Sequence, residues 1–201
     1  MSRNMKKKAH RFEFSIIAGS LKGEVIRAPD LDITRPPLSR LRKAIFDFLT
    51  PYLDAACYLD LFSGTGSYLF EAVSRGVGSA LGIERDPRLA SSINKQAEAL
   101  DVADRLRCLA DDVFEVIPRL KKNRERFDIV MIAPPQYRGL IDRTLQHLCK
   151  HDIANRDALL LCQHDTSETG KIAWLDYEIV QRRKYGNTTF TILRRNDPHP
   201  M

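Results

Sequence analysis

The run Asp60-Leu-Phe-Ser-Gly-Thr-Gly-Ser67 follows an apolar stretch and opens an amphipathic one. Cys57 to Phe62 reads as a buried strand and Ser67 to Arg75 as the helix after it. Gly64 and Gly66 let the backbone turn sharply between them and come close to a ligand. Dinucleotide-binding domains open in the same way, so the glycines alone leave the ligand class undecided. Two details narrow it. The third glycine of a G-x-G-x-x-G pattern would stand at position 69, where the chain has Leu69. Asp60 also places a carboxylate at the strand end, where it repels a pyrophosphate and attracts an ammonium group.

Outward from this turn, strands and helices alternate. Ser79 to Glu84 reads as a strand, and Pro87 to Leu100 as a helix with proline in its first turn and Leu89, Ile93, Ala97 and Leu100 along one face. Arg105 to Leu109 (strand), Val113 to Lys121 (helix), Ile129 to Ile132 (strand), Leu140 to Lys150 (helix) and Ala158 to Cys162 (strand) continue the alternation. Tyr177 to Lys184 and Thr188 to Leu193 flank Gly186-Asn187, a hairpin signal that implies one antiparallel strand. Upstream, Phe14 to Ala18 and Glu24 to Arg27 form a predicted hairpin around Gly19 to Gly23. Pro29 to Pro37 reads as a linker, and Ser39 caps a helix whose apolar face is Leu41, Ala44, Ile45, Phe48 and Leu49. The predicted fold is α/β: a doubly wound, mostly parallel seven-stranded sheet with a small N-terminal β-hairpin extension. Residues 1–11 read as a basic disordered tail, 12–38 as hairpin and linker, 39–195 as the main domain and 196–201 as a second tail.

S-Adenosylmethionine, with its ammonium and sulfonium, suits this edge. Glu84 ends the second strand 18 residues after Gly66, where a carboxylate serves the two hydroxyls of a ribose. Asp112, after the third strand, can accept a hydrogen bond from an adenine amino group. Asp111 is equally placed, and a helix N-cap is the other role open to Asp112. Phe62 and Arg85, beside these carboxylates, join the expected cofactor set. Ala133-Pro-Pro-Gln-Tyr137 follows the fourth strand. Its prolines stiffen a loop whose carbonyls stay free to accept from a substrate amine. Tyr137 offers a face for base stacking.

Net charge is +5 over residues 1–11, +2 over 12–43, −4 over 44–170 and +3 over 171–201. A basic periphery around an acidic centre fits a polyanionic partner outside and a cationic ligand inside. No apolar run approaches a membrane span, no signal segment follows the basic start, and the expected location is the cytoplasm. Cys57, Cys108, Cys149 and Cys162 form no metal-ligand spacing and read as buried, reduced thiols. The histidines are scattered, and no metal site is expected.

These features together resemble the bacterial small-subunit rRNA (guanine-N2)-methyltransferases of the RsmD type. The resemblance runs from about Ser15 to about Leu193. It includes Ile16-Ile17-Ala18-Gly19 with Lys22-Gly23, Thr34-Arg35-Pro36, FDFLTPYL at 46–53, DLFSGTGSYLFEAVS at 60–74 and Lys184-Tyr185-Gly186. It implies S-adenosylmethionine against Asp60, Gly64, Gly66, Glu84 and Asp112, and a guanine of 16S rRNA as the methyl acceptor. It also implies phosphate contacts from Lys22, Arg27, Arg35, Arg40, Arg42 and Lys43. A monomer is the expected working unit. The catalytic loop departs from the family pattern of Asp or Asn, Pro, Pro, then Tyr or Phe. Ala133 stands first, Gln136 fourth, and Tyr137 one place late. Pro134 and Pro135 are kept, and Gln136 is the adjacent group able to supply the missing acceptor. Alternatives are an RNA-binding homologue without catalysis or with a changed target, favoured by Ala133, and a DNA adenine-N6 methyltransferase, disfavoured by the lack of a DNA-reading insertion. A nucleotide-dependent oxidoreductase is disfavoured by Leu69 and the paired prolines.

Overall fold

The computed structural model describes residues 11–29 and 39–195. The first tail up to residue 10, the second tail, the Pro29 to Pro37 linker beyond Pro29, and Arg35 within it lie outside the described residues; Arg11, read as the last residue of the tail, instead opens the first strand. Apolar residues on both sides of the pleat make the central strands stable only when covered on both faces. That is where the chain puts them. Seven strands form the main sheet: β3 (Cys57–Asp60), β4 (Ser79–Glu84), β5 (Leu106–Ala110), β6 (Phe127–Ile132), β7 (Ala154–Asp165), β8 (Tyr177–Tyr185) and β9 (Thr188–Arg195). Their order is β5-β4-β3-β6-β7-β9-β8. All pairings from β5 to β7 are parallel, and β9 runs antiparallel to both β7 and β8. The strand order reverses at β3, so a crevice opens beyond the carboxyl ends of β3 and β6, the usual ligand edge of such sheets.

One face of the sheet packs on α1 (Ser39–Leu49), α2 (Ser67–Ser74) and α3 (Pro87–Ala99), and the other on α4 (Val113–Lys122) and α5 (Leu140–Lys150). Every residue of α2 is buried, including Ser67, Glu71 and Ser74. A helix without a polar face needs cover on all sides. The N-terminal hairpin, β1 (Arg11–Ser15) and β2 (Val25–Pro29), supplies part of it. The Ile17 amide donates to Glu71 Oε2 at 3.0 Å, the Ser20 amide to the Ser74 carbonyl at 2.7 Å, and Ser74 Oγ to the Ala18 carbonyl at 2.5 Å. Gly19 has φ +89°, and a Cβ there would lie 1.8 Å from the Ser74 carbonyl oxygen. Only glycine allows that contact.

The buried face of α1 is Leu41, Arg42, Ile45, Phe46 and Leu49, whereas Ala44 and Phe48 are half-buried. The predicted apolar face therefore missed Phe46, because the arginine that shares its side of the helix disguised the stripe. Strand β7 begins at Ala154, four residues earlier than its apolar run suggests. Cys108 and Cys162 are buried, Cys57 is half-buried, and Cys149 is exposed, which corrects the reading of it as a core thiol. No described helix is long and apolar enough to cross a membrane.

Candidate functional site at the carboxyl edge of the sheet

Asp60 is the last residue of β3 and has no exposed surface. Its Oδ1 accepts from the Phe62 amide at 3.2 Å, and its Oδ2 is buried without a partner among the described residues. Burial raises its pKa to about 7, against the Phe62 hydrogen bond and with the help of nearby Glu84. A buried carboxylate with a free oxygen is costly unless a cation or donor reaches it.

Glu84 ends β4 and holds the glycine turn in place. Its Oε2 accepts from the Gly64 amide at 2.8 Å and its Oε1 from the Asp86 amide at 2.8 Å. Its pKa is raised, chiefly by burial. Gly64 and Gly66 have φ of 52° and 80°, and a Cβ on Gly66 would lie 2.8 Å from Ile93 Cγ1. The turn is thus built for a close approach of backbone to α3. Phe62 is half-buried against the second core, and Arg85 is exposed beside Glu84.

After β5, the two candidate aspartates take separate roles. Asp112 is the N-cap of α4, accepting from the Phe114 amide at 2.9 Å. Asp111 accepts from the Asp112 amide at 2.7 Å and pairs with Arg119, which holds its carboxyl below the usual range. Asp112 is the one of the two without a cationic partner among the described residues.

In the proline loop, Ala133 packs against the first core, Pro134 is buried, and Gln136 is half-buried. Tyr137 is 67% exposed, with φ 61°. Its amide donates to Glu168 Oε1 at 3.1 Å, and the Asp165 carboxylate near its hydroxyl raises its pKa. The loop is therefore tied to the 3-10 turn Thr166–Glu168 that follows β7. Gln163, near the end of β7, carries no signal in the sequence. It accepts a hydrogen bond from Tyr68 Oη at 2.7 Å. A long-range pairing of residues 95 positions apart leaves no local pattern to read.

Of the predicted phosphate contacts, Lys22, Arg27, Arg40 and Lys43 are exposed, although Arg27 pairs with Glu13 at 3.0 Å and Lys43 with Asp47 at 2.5 Å. Arg42 must be removed from the set. It is 1% exposed, its Nη2 donates to the Ser15 carbonyl at 2.5 Å, and it lies 3.4 Å from Glu71 and over the Phe14 ring. It ties α1 to the hairpin and cannot reach a phosphate. A basic run outside the predicted set, Arg182-Arg183-Lys184, is exposed on the edge strand β8. Three consecutive cations in a strand break apolar alternation, and that is the signal that could have found it. No group of side chains suited to a metal ion occurs among the described residues.

Known proteins place this architecture. A relative from Escherichia coli strain K12 named ribosomal RNA small subunit methyltransferase D is 26% identical over 184 residues, covering 91% of this chain and 90% of its own. The solved structure of the E. coli protein yhhF, named as a candidate methyltransferase, superposes with a TM-score of 0.81 at 23% identity, covering 92% of this chain and 98% of that one. An RNA methyltransferase from Salinibacter ruber, solved with S-adenosyl-L-homocysteine, superposes with a TM-score of 0.62 at 17% identity, covering 83% and 98%. The family model described as conserved hypothetical protein 95 matches residues 14–194, and the chain belongs to that family.

Proposed function

We propose that the protein transfers a methyl group from S-adenosylmethionine to the exocyclic N2 amine of a guanine in 16S rRNA. It acts as a monomer on the small ribosomal subunit or an assembly intermediate. The observation that carries this reading is the free, buried Oδ2 of Asp60 at the carboxyl edge, in a chain related over most of its length to a small-subunit rRNA methyltransferase.

The residues present fit the cofactor. Asp60 receives the ammonium, which supplies the cation its buried oxygen lacks. Glu84, fixed by two backbone amides, presents its remaining lone pairs to the ribose hydroxyls. Asp112 takes the adenine amine, with Phe62, Arg85 and the Gly64–Gly66 turn lining the cleft and Asp111 in support. S-Adenosylmethionine supplies the methyl group: the S–CH3 bond breaks as the N–CH3 bond forms, the sulfur keeps the electron pair, and the N2 proton passes to water.

The chain's contribution is position. The carbonyls of Ala133 and Pro134 offer an acceptor to one hydrogen of the substrate amine, Pro135 stiffens the loop, and Tyr137 stacks on the base drawn out of its helix. Holding the amine in line with the methyl group is worth up to roughly 7–11 kcal/mol in such displacements. Lys22, Arg27, Arg40, Lys43 and the Arg182–Lys184 run meet phosphates. Arg35 belongs with them by sequence.

The test is methyl transfer from labelled S-adenosylmethionine to small subunits lacking the modification, followed by nucleoside mass analysis. N2-methylguanosine in 16S rRNA is the expected product. Cofactor binding without methylation of subunits or naked rRNA would overturn the reading and favour a homologue that binds RNA without catalysis.

A further inference from the structure

The side chain at 133 is a methyl group, so no acceptor projects from the first position of the proline loop. We propose that Gln163 supplies the acceptor instead, its side-chain amide holding the amine of the target guanine while buried Tyr68 positions it. This rests on the function proposed above and assigns a residue to its acceptor site.

Sheet register places the two residues together. Met131 pairs with Leu161 and Ile132 with Cys162, so Ala133 and Gln163 follow side by side where β6 and β7 reach the carboxyl edge. Alternation along a strand fixes the face. Met131 and Leu161 belong to the first core, Ile132 and Cys162 to the second, and Ala133 packs with the first. Gln163 therefore shares a face with Ala133, and Asp60, paired in register with Met131, shares it too. The amide stands on the side of the sheet where the cofactor's amino-acid end is bound.

Tyr68 connects these groups. It is 4% exposed, its ring 6.3 Å from Phe46 and edge-on to Phe190 at 6.5 Å, so its hydroxyl is fixed in space. Tyr68 feels the charge of Asp60 and donates at 2.7 Å to Gln163 Oε1. One lone pair of Oε1 and both Nε2 hydrogens of Gln163 have no partner among the described residues. The guanine N2–H can donate to that lone pair, and the adjacent ring N3 can accept from Nε2. An amide matches this donor–acceptor pair in bidentate fashion. As the methyl group arrives at N2, the accepting oxygen stabilises the positive charge developing there, and the proton then leaves to water. Gln136, the other glutamine of the loop region, has no anchoring hydrogen bond among the described residues. A group already held in place contributes more to a transition state than one that must be ordered.

The experiment compares Gln163→Leu, Gln163→Glu and Tyr68→Phe with wild type. Three readouts are needed: methyl transfer to undermethylated small subunits, calorimetric affinity for S-adenosylmethionine, and NMR of the Gln163 side-chain amide during titration with guanosine or inosine monophosphate. Inosine lacks the 2-amino group. Gln163→Leu is expected to lower kcat roughly hundredfold with cofactor affinity unchanged. Gln163→Glu, which keeps an acceptor for Tyr68 and for the N2–H but loses the Nε2 donor to N3, recovers only part of the loss. Tyr68→Phe gives a smaller fall in kcat. The wild-type amide resonances respond to the guanine nucleotide and much less to the inosine one. Active wild type with equally active Gln163→Leu, or an amide that responds equally or not at all to the two nucleotides, overturns this proposal alone. Wild type that methylates no guanine fells it together with the proposed function.

Discussion

Glu71 and Asp60 are both carboxylates with no exposed surface, yet their surroundings differ completely. Glu71, on α2, accepts from the Ile17 amide at 3.0 Å and from Arg75 Nε at 2.8 Å, with Arg42 3.4 Å away. Asp60, at the end of β3, has one hydrogen bond of 3.2 Å and no cation among the described residues. The first carboxylate is satisfied within the chain and closes the joint between hairpin, α1 and α2. The second is left short of partners at the carboxyl edge of the sheet, and in the proposed function its missing cation is the ammonium of the ligand. Burial alone therefore does not separate the acid proposed to bind the ligand from the structural one; the unfilled valence does.

The largest effect that would break this contrast is on folding. Glu71→Ala leaves Arg42 as a buried cation without its carboxylate and removes the acceptor for the hairpin. A cost of roughly 3–5 kcal/mol follows from breaking a buried pair, measured by urea unfolding. Faster proteolysis at the hairpin should accompany it. A loss under about 1 kcal/mol, the scale of an exposed pair, would mean the joint is held by apolar contact alone.

Asp60→Asn should do the reverse. It removes an unfavourably buried charge, so stability at neutral pH should hold or rise. Cofactor affinity should fall by roughly 2 kcal/mol, or about thirtyfold, the worth of a charge-assisted hydrogen bond. Calorimetry and unfolding on the same variant separate the two.

The pH dependence sharpens the same point. Asp60 has a pKa of about 7 in the folded chain against 3.8 as its ordinary value. Between these values the folded state holds a proton that the unfolded state has lost. Stability without ligand is therefore full below about pH 4 and declines as the pH rises to about 7 for this group. Binding an ammonium requires the ionised form, so cofactor affinity should rise over the same interval, by at most tenfold per pH unit, and level off above pH 7. In Asp60→Asn the affinity curve should lose this rise.

The sheet, its helices and the glycine turn were legible because each rests on local periodicity or on a residue with one conformational use. The edge positions of Asp60, Glu84 and Asp112 were legible for the same reason: they end strands or start helices, where position in sequence is position at the edge. What remained hidden depends on distant partners. Arg42 sits among Arg40 and Lys43 and looks like a third phosphate contact, but helical rotation turns it inward onto Glu71. Gln163, on β7, and Tyr68, on α2, meet only when that helix packs over the sheet.

The smallest predicted effect tests that distinction between neighbouring cations. Arg183, on β8, is exposed, with its guanidinium over the Phe48 ring, whereas Arg42, on the same helix as Phe48, is enclosed. Arg183→Ala should leave unfolding nearly unchanged, because surface substitutions seldom exceed about 0.5 kcal/mol. Its rRNA affinity should fall a few-fold at moderate salt, alike for all sequences, and the slope of log affinity against log salt should shrink by about 1. Arg42→Ala should show the opposite pattern, a large stability loss with the salt slope intact in the folded fraction. Equal salt slopes for Arg183→Ala and wild type would remove the β8 edge from the RNA-binding surface and leave that surface to the hairpin and α1.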